Sequence, residues 1–165
     1  MDGEFHVRKA RLADAEGIYA LIREHTMELV PRSLGNVVEN IDRFLVAEGS
    51  DGSLVGCIAY QIWPEIGDPL KATVELQSVA VRASVRRKGI GRQLVQGTIS
   101  RVRVLAPADV TVLTLAPEFF ASLGFREIPK TRIMHKLYTG CINCTKHTDP
   151  FTCPEKAMAL EVGRI

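Results

Sequence analysis

The sequence predicts a mixed α/β domain, on three observations. Stretches of alternating apolar and polar residues interleave with stretches of 3.6-residue period, in the order β-α-α-β-β-β-α-β-α-β-β. The chain has 165 residues, the usual size of one domain and enough to bury a real core. Apolar residues make up 46% and charged residues 24%, which is ordinary globular composition and excludes a disordered chain. Residues 1–165 are therefore read as a single domain, in which 129–154 form a Cys-rich connection between the last two strands.

Each element has its own local signal. Phe5, Val7 and Lys9 alternate as a short strand. Asp14 stands as an N-cap before Ile18, Leu21, Ile22 and His25 at helical spacing, and Pro31 ends that stretch. Ser33 caps a second short helix carrying Leu34, Val37, Val38 and Ile41. Two apolar runs, Phe44 to Ala47 and Leu54 to Ile62, flank a Gly/Ser/Asp turn and read as a β-hairpin. Pro64, Gly67 and Pro69 break the pattern before the β-branched run from Thr73 to Val81. A helix follows with Ile90, Leu94, Val95, Ile99 and Val102 on one face, closed by Pro107. Val110 to Leu115 is a buried strand. Pro117 opens a helix with Phe119, Phe120 and Leu123, and Gly124 is its natural C′ residue. Phe125 to Ile128 and Met158 to Val162 supply the last strands, whereas 129–154 show little period.

Charge and composition exclude some functions. With 21 Lys and Arg against 19 Asp and Glu, the net charge of +2 argues against a nucleic-acid binder. No window of 18 apolar residues is present, so no membrane span is expected. The start Met1-Asp2-Gly3-Glu4 lacks the basic and apolar runs of a signal peptide, so a cytoplasmic location with reduced cysteines is expected. Cys57, inside Val55-Gly56-Cys57-Ile58-Ala59, reads as a small core residue.

The sharpest local motif is Arg86-Arg87-Lys88-Gly89-Ile90-Gly91, shortly after Val79-Ala80-Val81. Glycines let the backbone turn tightly and approach a ligand closely. The loop opens a helix, whose unsatisfied N–H groups and positive dipole end suit a pyrophosphate. Arg86, Arg87, Lys88 and Arg92 add charge nearby. The pattern is neither a P-loop nor a dinucleotide fingerprint. Taken alone, it reads equally as a solvated basic helix start.

With its flanking strand and helix, the segment Thr73 to Val95 resembles the acetyl-CoA-binding segment of the GCN5-related N-acetyltransferases, whose signature is [QR]-x-x-G-x-[GA] after a strand. The order of elements and Phe119-Phe120-x-x-x-Gly124-Phe125 agree with that family along nearly the whole chain. The resemblance implies a central, mostly antiparallel sheet with splayed strands and flanking helices, and acetyl-CoA as co-substrate. It implies that the backbone of Val79, Ala80 and Val81 pairs with the pantetheine arm. It also implies that Arg86, Arg87, Lys88, Gly89, Ile90, Gly91 and Arg92 surround the pyrophosphate.

Acetyl transfer to an amine needs a base, because an ammonium has no lone pair. Glu75, within Val74-Glu75-Leu76 and eleven residues before Arg86, is the expected base, with Glu65 as a weaker candidate. Phe120 occupies the position where the family often carries an acidic tyrosine, and a phenyl ring donates no proton. Water, Ser122 and Tyr138 remain as proton donors, or none is needed.

Three separated blocks are similar to the short, single-domain N-acetylglutamate synthases: Leu29-Val30-Pro31-Arg32-Ser33, Leu113 to Phe125, and Cys141-x2-Cys144-x8-Cys153-Pro154-Glu155-x2-Met158. That likeness implies an amino-acid N-acetyltransferase of arginine biosynthesis, acting on the α-amino group of L-glutamate. A dicarboxylate wants Arg or Lys in its site. Arg32 is the first choice, with Arg132 and Lys136 on the other wall of the family's groove, beside His135. The rivals are another amine acceptor and a non-catalytic acetyl-CoA-binding module. The partners expected are acetyl-CoA and L-glutamate, with neither nucleic acid nor membrane, and homodimerisation is left open. For Cys141, Cys144 and Cys153, with His147, three readings stay open: structural zinc, packed thiols and a regulatory disulfide.

Overall fold

The structure is a computed structural model that describes residues 4–147 and 149–162. Seven strands form one mostly antiparallel sheet in the order β1-β2-β3-β4-β5-β7-β6. The strands are β1 (Phe5–Lys9), β2 (Phe44–Gly49), β3 (Leu54–Glu65), β4 (Asp68–Val81), β5 (Val110–Thr114), β6 (Arg126–Glu127) and β7 (Lys156–Leu160). The helices are α1 (Ala15–Arg23), α2 (Leu34–Glu39), α3 (Ile90–Val102), α4 (Pro117–Ala121) and α5 (Met134–Thr139). β4 pairs with β5 in parallel, and Glu75 stands opposite Thr111.

The residues group into two compact units: Met1–Tyr60 with Gln77–Arg101, and Gln61–Leu76 with Val102–Ile165. The first has its core where α1 lays Ile18, Leu21 and Ile22 against Phe44, Val46, Cys57 and Ala80, all essentially buried. Full burial of each large aliphatic side chain contributes about 1.5–3 kcal/mol, so the face predicted from its 3.6-residue period holds α1 in place. Cys57 lies fully inside, and burial pushes its thiol up to about 12, as suits an inert core residue. Gly56 lets α3 approach β3. A Cβ there would sit 2.9 Å from Leu94 Cδ1 and 3.1 Å from Ile90 Cγ2. The second unit packs Ile133 and Leu137 against Ala157, with Leu113, Ile128 and Cys141 around them.

Three local readings change. Asp14 does not cap α1 through its side chain. Its carboxylate accepts from Arg11 N–H at 2.7 Å and from both Nη atoms of Arg8 at 2.8 and 2.9 Å, because a guanidinium fork outbids an exposed helix end. The break expected at Pro64, Gly67 and Pro69 is only a hairpin tip, and β3 and β4 run through both prolines, which are exposed. Missing ladder donors cost little at such a strand end. In the segment read as lacking period, Lys130–Ile133 and α5 are helical, since Ile133, Leu137 and Cys141 form an i, i+4, i+8 apolar stripe. Ser33 caps α2 as expected, accepting from Asn36 N–H at 3.0 Å.

Candidate functional site

The first unit carries the glycine loop. β4 ends at Val81, a short 3₁₀ turn covers Ala83–Val85, and α3 starts at Ile90. Arg87 and Gly89 take left-handed backbone, with φ of 67° and 80°. Gly89 suits that conformation, and no atom lies within 4 Å of where its Cβ would be. The first helical bond runs from Gln93 N–H to Gly89 C=O at 3.0 Å, so the preceding N–H groups lack helical acceptors. Arg87, Lys88, Gly89 and Arg92 are exposed, Gly91 is half-buried, and Ile90 anchors the helix start at 3% exposure. Arg86 differs from its neighbours. Its Nη2 lies 2.9 Å from His25 Nδ1 and 3.6 Å from Glu28 Oε2, which ties it to the end of α1.

The same unit holds Arg32, whose guanidinium is gripped on three sides. Nε donates to Ser78 Oγ at 2.8 Å, Nη1 to Asn36 Oδ1 at 2.7 Å and Nη2 to Gln77 Oε1 at 2.7 Å. Its Cζ also lies 5.4 Å from the centre of the Phe44 ring. Asn36 comes from α2, whose start Ser33 fixes, and Gln77 and Ser78 come from β4. Ser78 has φ of 53°, a left-handed conformation costing about 1–3 kcal/mol in a non-glycine residue. Such strain is characteristic of functional sites. None of Asn36, Gln77 or Ser78 was singled out from sequence. The available signal was a polar Gln-Ser pair inside the run Leu76 to Val81.

The second unit carries Glu75. Its side chain is 5% exposed, and Oε2 lies 3.3 Å from Lys136 Nζ, itself 15% exposed. Lys136 also lies beside the Cys141 thiol, and its ammonium is 5.9 Å from the Trp63 ring centre. Burial pulls the Lys136 pKa down, but Glu75 and Cys141 together leave it above the ordinary lysine value. Burial pushes the Cys141 thiol up, so it is protonated at neutral pH. Next to Lys136, the buried His135 shares a 2.8 Å hydrogen bond between its Nε2 and Thr73 Oγ1. Burial lowers the His135 pKa, which keeps the imidazole neutral and makes its 3.9 Å approach to Glu65 no ion pair.

The other expected residues are placed as follows. Lys136 meets the protein's own carboxylate, Glu75, and Arg132 meets Asp109 at 3.2 Å, half-exposed. Phe120 is a core ring, edge-on to Phe119 at 5.0 Å and to Phe125 at 5.4 Å. Ser122 Oγ donates to Phe119 C=O at 2.6 Å, and Tyr138 is exposed. Cys141, Cys144 and Cys153 are free thiols. Among the described residues, no three of His, Cys, Asp and Glu gather as a metal ion requires.

Residues 40–127 match the acetyltransferase (GNAT) domain. An uncharacterized N-acetyltransferase of Chlorobaculum tepidum is 35% identical over 154 residues, 92% of this chain and 93% of that protein. An amino-acid acetyltransferase of Mycobacterium tuberculosis is 33% identical over 136 residues, 80% of this chain and 74% of its own length. A solved Mycobacterium tuberculosis structure, in complex with CoA and NLQ, superposes with a TM-score of 0.77 at 27% identity, covering 94% of this chain and 98% of that one. The strand order, the glycine loop and these relatives together show that the chain belongs to the GNAT acetyltransferases, a family of acetyl-CoA-dependent enzymes.

Proposed function

We propose that the enzyme transfers acetyl from acetyl-CoA to the α-amino group of L-glutamate, as an N-acetylglutamate synthase would for arginine biosynthesis. The observation that carries the dicarboxylate reading is the clamped guanidinium of Arg32. Three oxygens fix its plane and rotamer, so little conformational entropy is lost when a carboxylate meets the fork. The amino-acid acetyltransferase among its relatives supports the same acceptor class. Arg132 and Lys136 are weaker carboxylate ligands, because Asp109 and Glu75 already face them.

In this reading the N–H groups and cationic side chains of residues 87–92 hold the pyrophosphate, and Arg86 steadies the loop through His25 and Glu28. Val79, Ala80 and Val81 align the pantetheine arm through the backbone. The Glu75 carboxylate takes one proton from the acceptor ammonium, directly or through water. The freed lone pair forms the N–C bond to the acetyl carbonyl. Collapse of the tetrahedral intermediate breaks the C–S bond and releases the thiolate of coenzyme A. The nitrogen, cationic once bonded to carbon, gives its second proton to the leaving sulfur, directly or through water, since Phe120 has none to donate, and Glu75 returns its proton to solvent.

Thiol release from acetyl-CoA against a panel of amino acids and polyamines tests the assignment. Glutamate should give the highest kcat/KM, by about tenfold or more over glutamine and aspartate. A glutamate rate no higher than background would refute it, and another preferred amine would redirect it within the family.

A further inference from the structure

Lys136 and Glu75 form a pair of opposite charges, both nearly buried. Such pairs are poor stabilisers. Each ion loses several kcal/mol of hydration, and apolar side chains of similar volume fill the same space at no greater cost. A lone carboxylate at this depth would hold its proton at neutral pH, and a protonated carboxylic acid accepts none. An ammonium 3.3 Å away reverses that preference.

We infer that Lys136 is a positioning residue for Glu75: its ammonium, held between the Cys141 thiol and the Trp63 ring, keeps the buried carboxylate ionised and oriented, ready to accept a proton. The inference rests on Glu75 being the base. α5 places Lys136 against β4 because Ile133 and Leu137, on the same helical stripe, pack into the core beside Ala157. Gly140 ends the helix under Trp63, where a Cβ would meet the ring at 3.1 Å. The missing Cβ leaves room for the ring beside the lysine.

Lys136 faces Glu75 from α5, and the protonated Cys141 faces both from the following turn, with Cys144 acting on Cys141. From β5 the register partner is Thr111, which does not titrate. From β3, Trp63 does not titrate and Glu65 faces the neutral His135, which bonds Thr73 of β4. The Lys136 pKa lies above the ordinary lysine value, so Lys136 itself does not lose its charge in the neutral range.

The test is the pH profile of kcat/KM from pH 6.5 to 9 for wild type, Lys136→Met, Lys136→Arg and Glu75→Gln. Lys136→Met should lose at least tenfold more activity at pH 6.5 than at pH 9. Lys136→Arg, which keeps the charge, should restore the wild-type profile shape to within about threefold. If Lys136→Met fails to fold by circular dichroism, Lys136→Gln takes its place in the same comparison. A loss of equal size at every pH would overturn the inference, as would a raised KM for the amino acid with kcat and profile unchanged. A Glu75→Gln enzyme with wild-type rate would refute the base assignment instead, a result separable from the other two.

Discussion

The surroundings of Arg32 and of Glu75 hold a charged side chain in two different ways. Arg32 is oriented by an amide from α2 and by an amide and a hydroxyl from β4. Those three bonds fix the plane of the guanidinium. Glu75 is oriented by an opposite charge inside a nearly closed setting. In the proposed function the first arrangement presents a rigid donor fork to an anion, and the second keeps a carboxylate deprotonated where water is scarce. Under the proposed function the difference assigns a kinetic constant to each residue: Arg32 the binding of acceptor, Glu75 the chemical step.

The largest effect expected is at Glu75. Glu75→Gln keeps the shape but removes the proton acceptor, so kcat should fall by about 10²-fold or more, with the KM for acetyl-CoA little changed. Steady-state kinetics read this directly, and full recovery of the variant at alkaline pH would break the assignment. Arg32→Lys comes next. It keeps the charge but loses the fork and leaves Asn36 and Gln77 without their donor. The KM for the amino acid should rise roughly 10–100-fold, from 1.5–3 kcal/mol of charge-assisted bonding, while kcat moves far less. A drop confined to kcat would show that the two regions are not divided as described.

The smallest effect sharpens the contrast with a purely structural charge. Asp14 bonds Arg8, which also bonds Glu48, in the first unit. Asp14→Asn should cost about 1 kcal/mol in denaturant unfolding, with no kinetic consequence. Arg8 and the Arg11 N–H hold the Asp14 carboxyl below its ordinary value of 3.8. A depressed acid stabilises the fold above its unfolded pKa and loses that contribution as pH falls through the folded one. Wild type and variant should therefore begin to converge below about pH 3.8, the unfolded value, and meet only below the folded one, and a gap that widens with acid would contradict the pairing.

Much of the fold was legible because its signals are local. The buried face of α1, the Ser33 cap, the turn before β3 and the glycine loop follow from neighbours within four residues. The apolar stripe of Ile133, Leu137 and Cys141 was present too, but the Cys, Pro and Thr around it obscured the period. The hairpin formed by β3 and β4 outran its prolines because partner strands, not intrinsic preference, decide where pairing stops. Glu75, Arg32 and the anion loop could be nominated from residue type and resemblance.

Their partners could not be found that way. Ser78 and Gln77 reach Arg32 from 46 and 45 residues away. Lys136 stands 61 residues beyond Glu75 in the chain. By itself, the sequence determined the order of elements, the family and the types of charge on offer, because periodicity and short motifs act over one or two turns of chain. Only the tertiary structure decided that Lys136 meets Glu75, that Arg86 meets His25, and that Asn36, Gln77 and Ser78 orient Arg32. Hydrogen bonds and ion pairs depend on distances of about 3 Å, and chain order does not contain those distances.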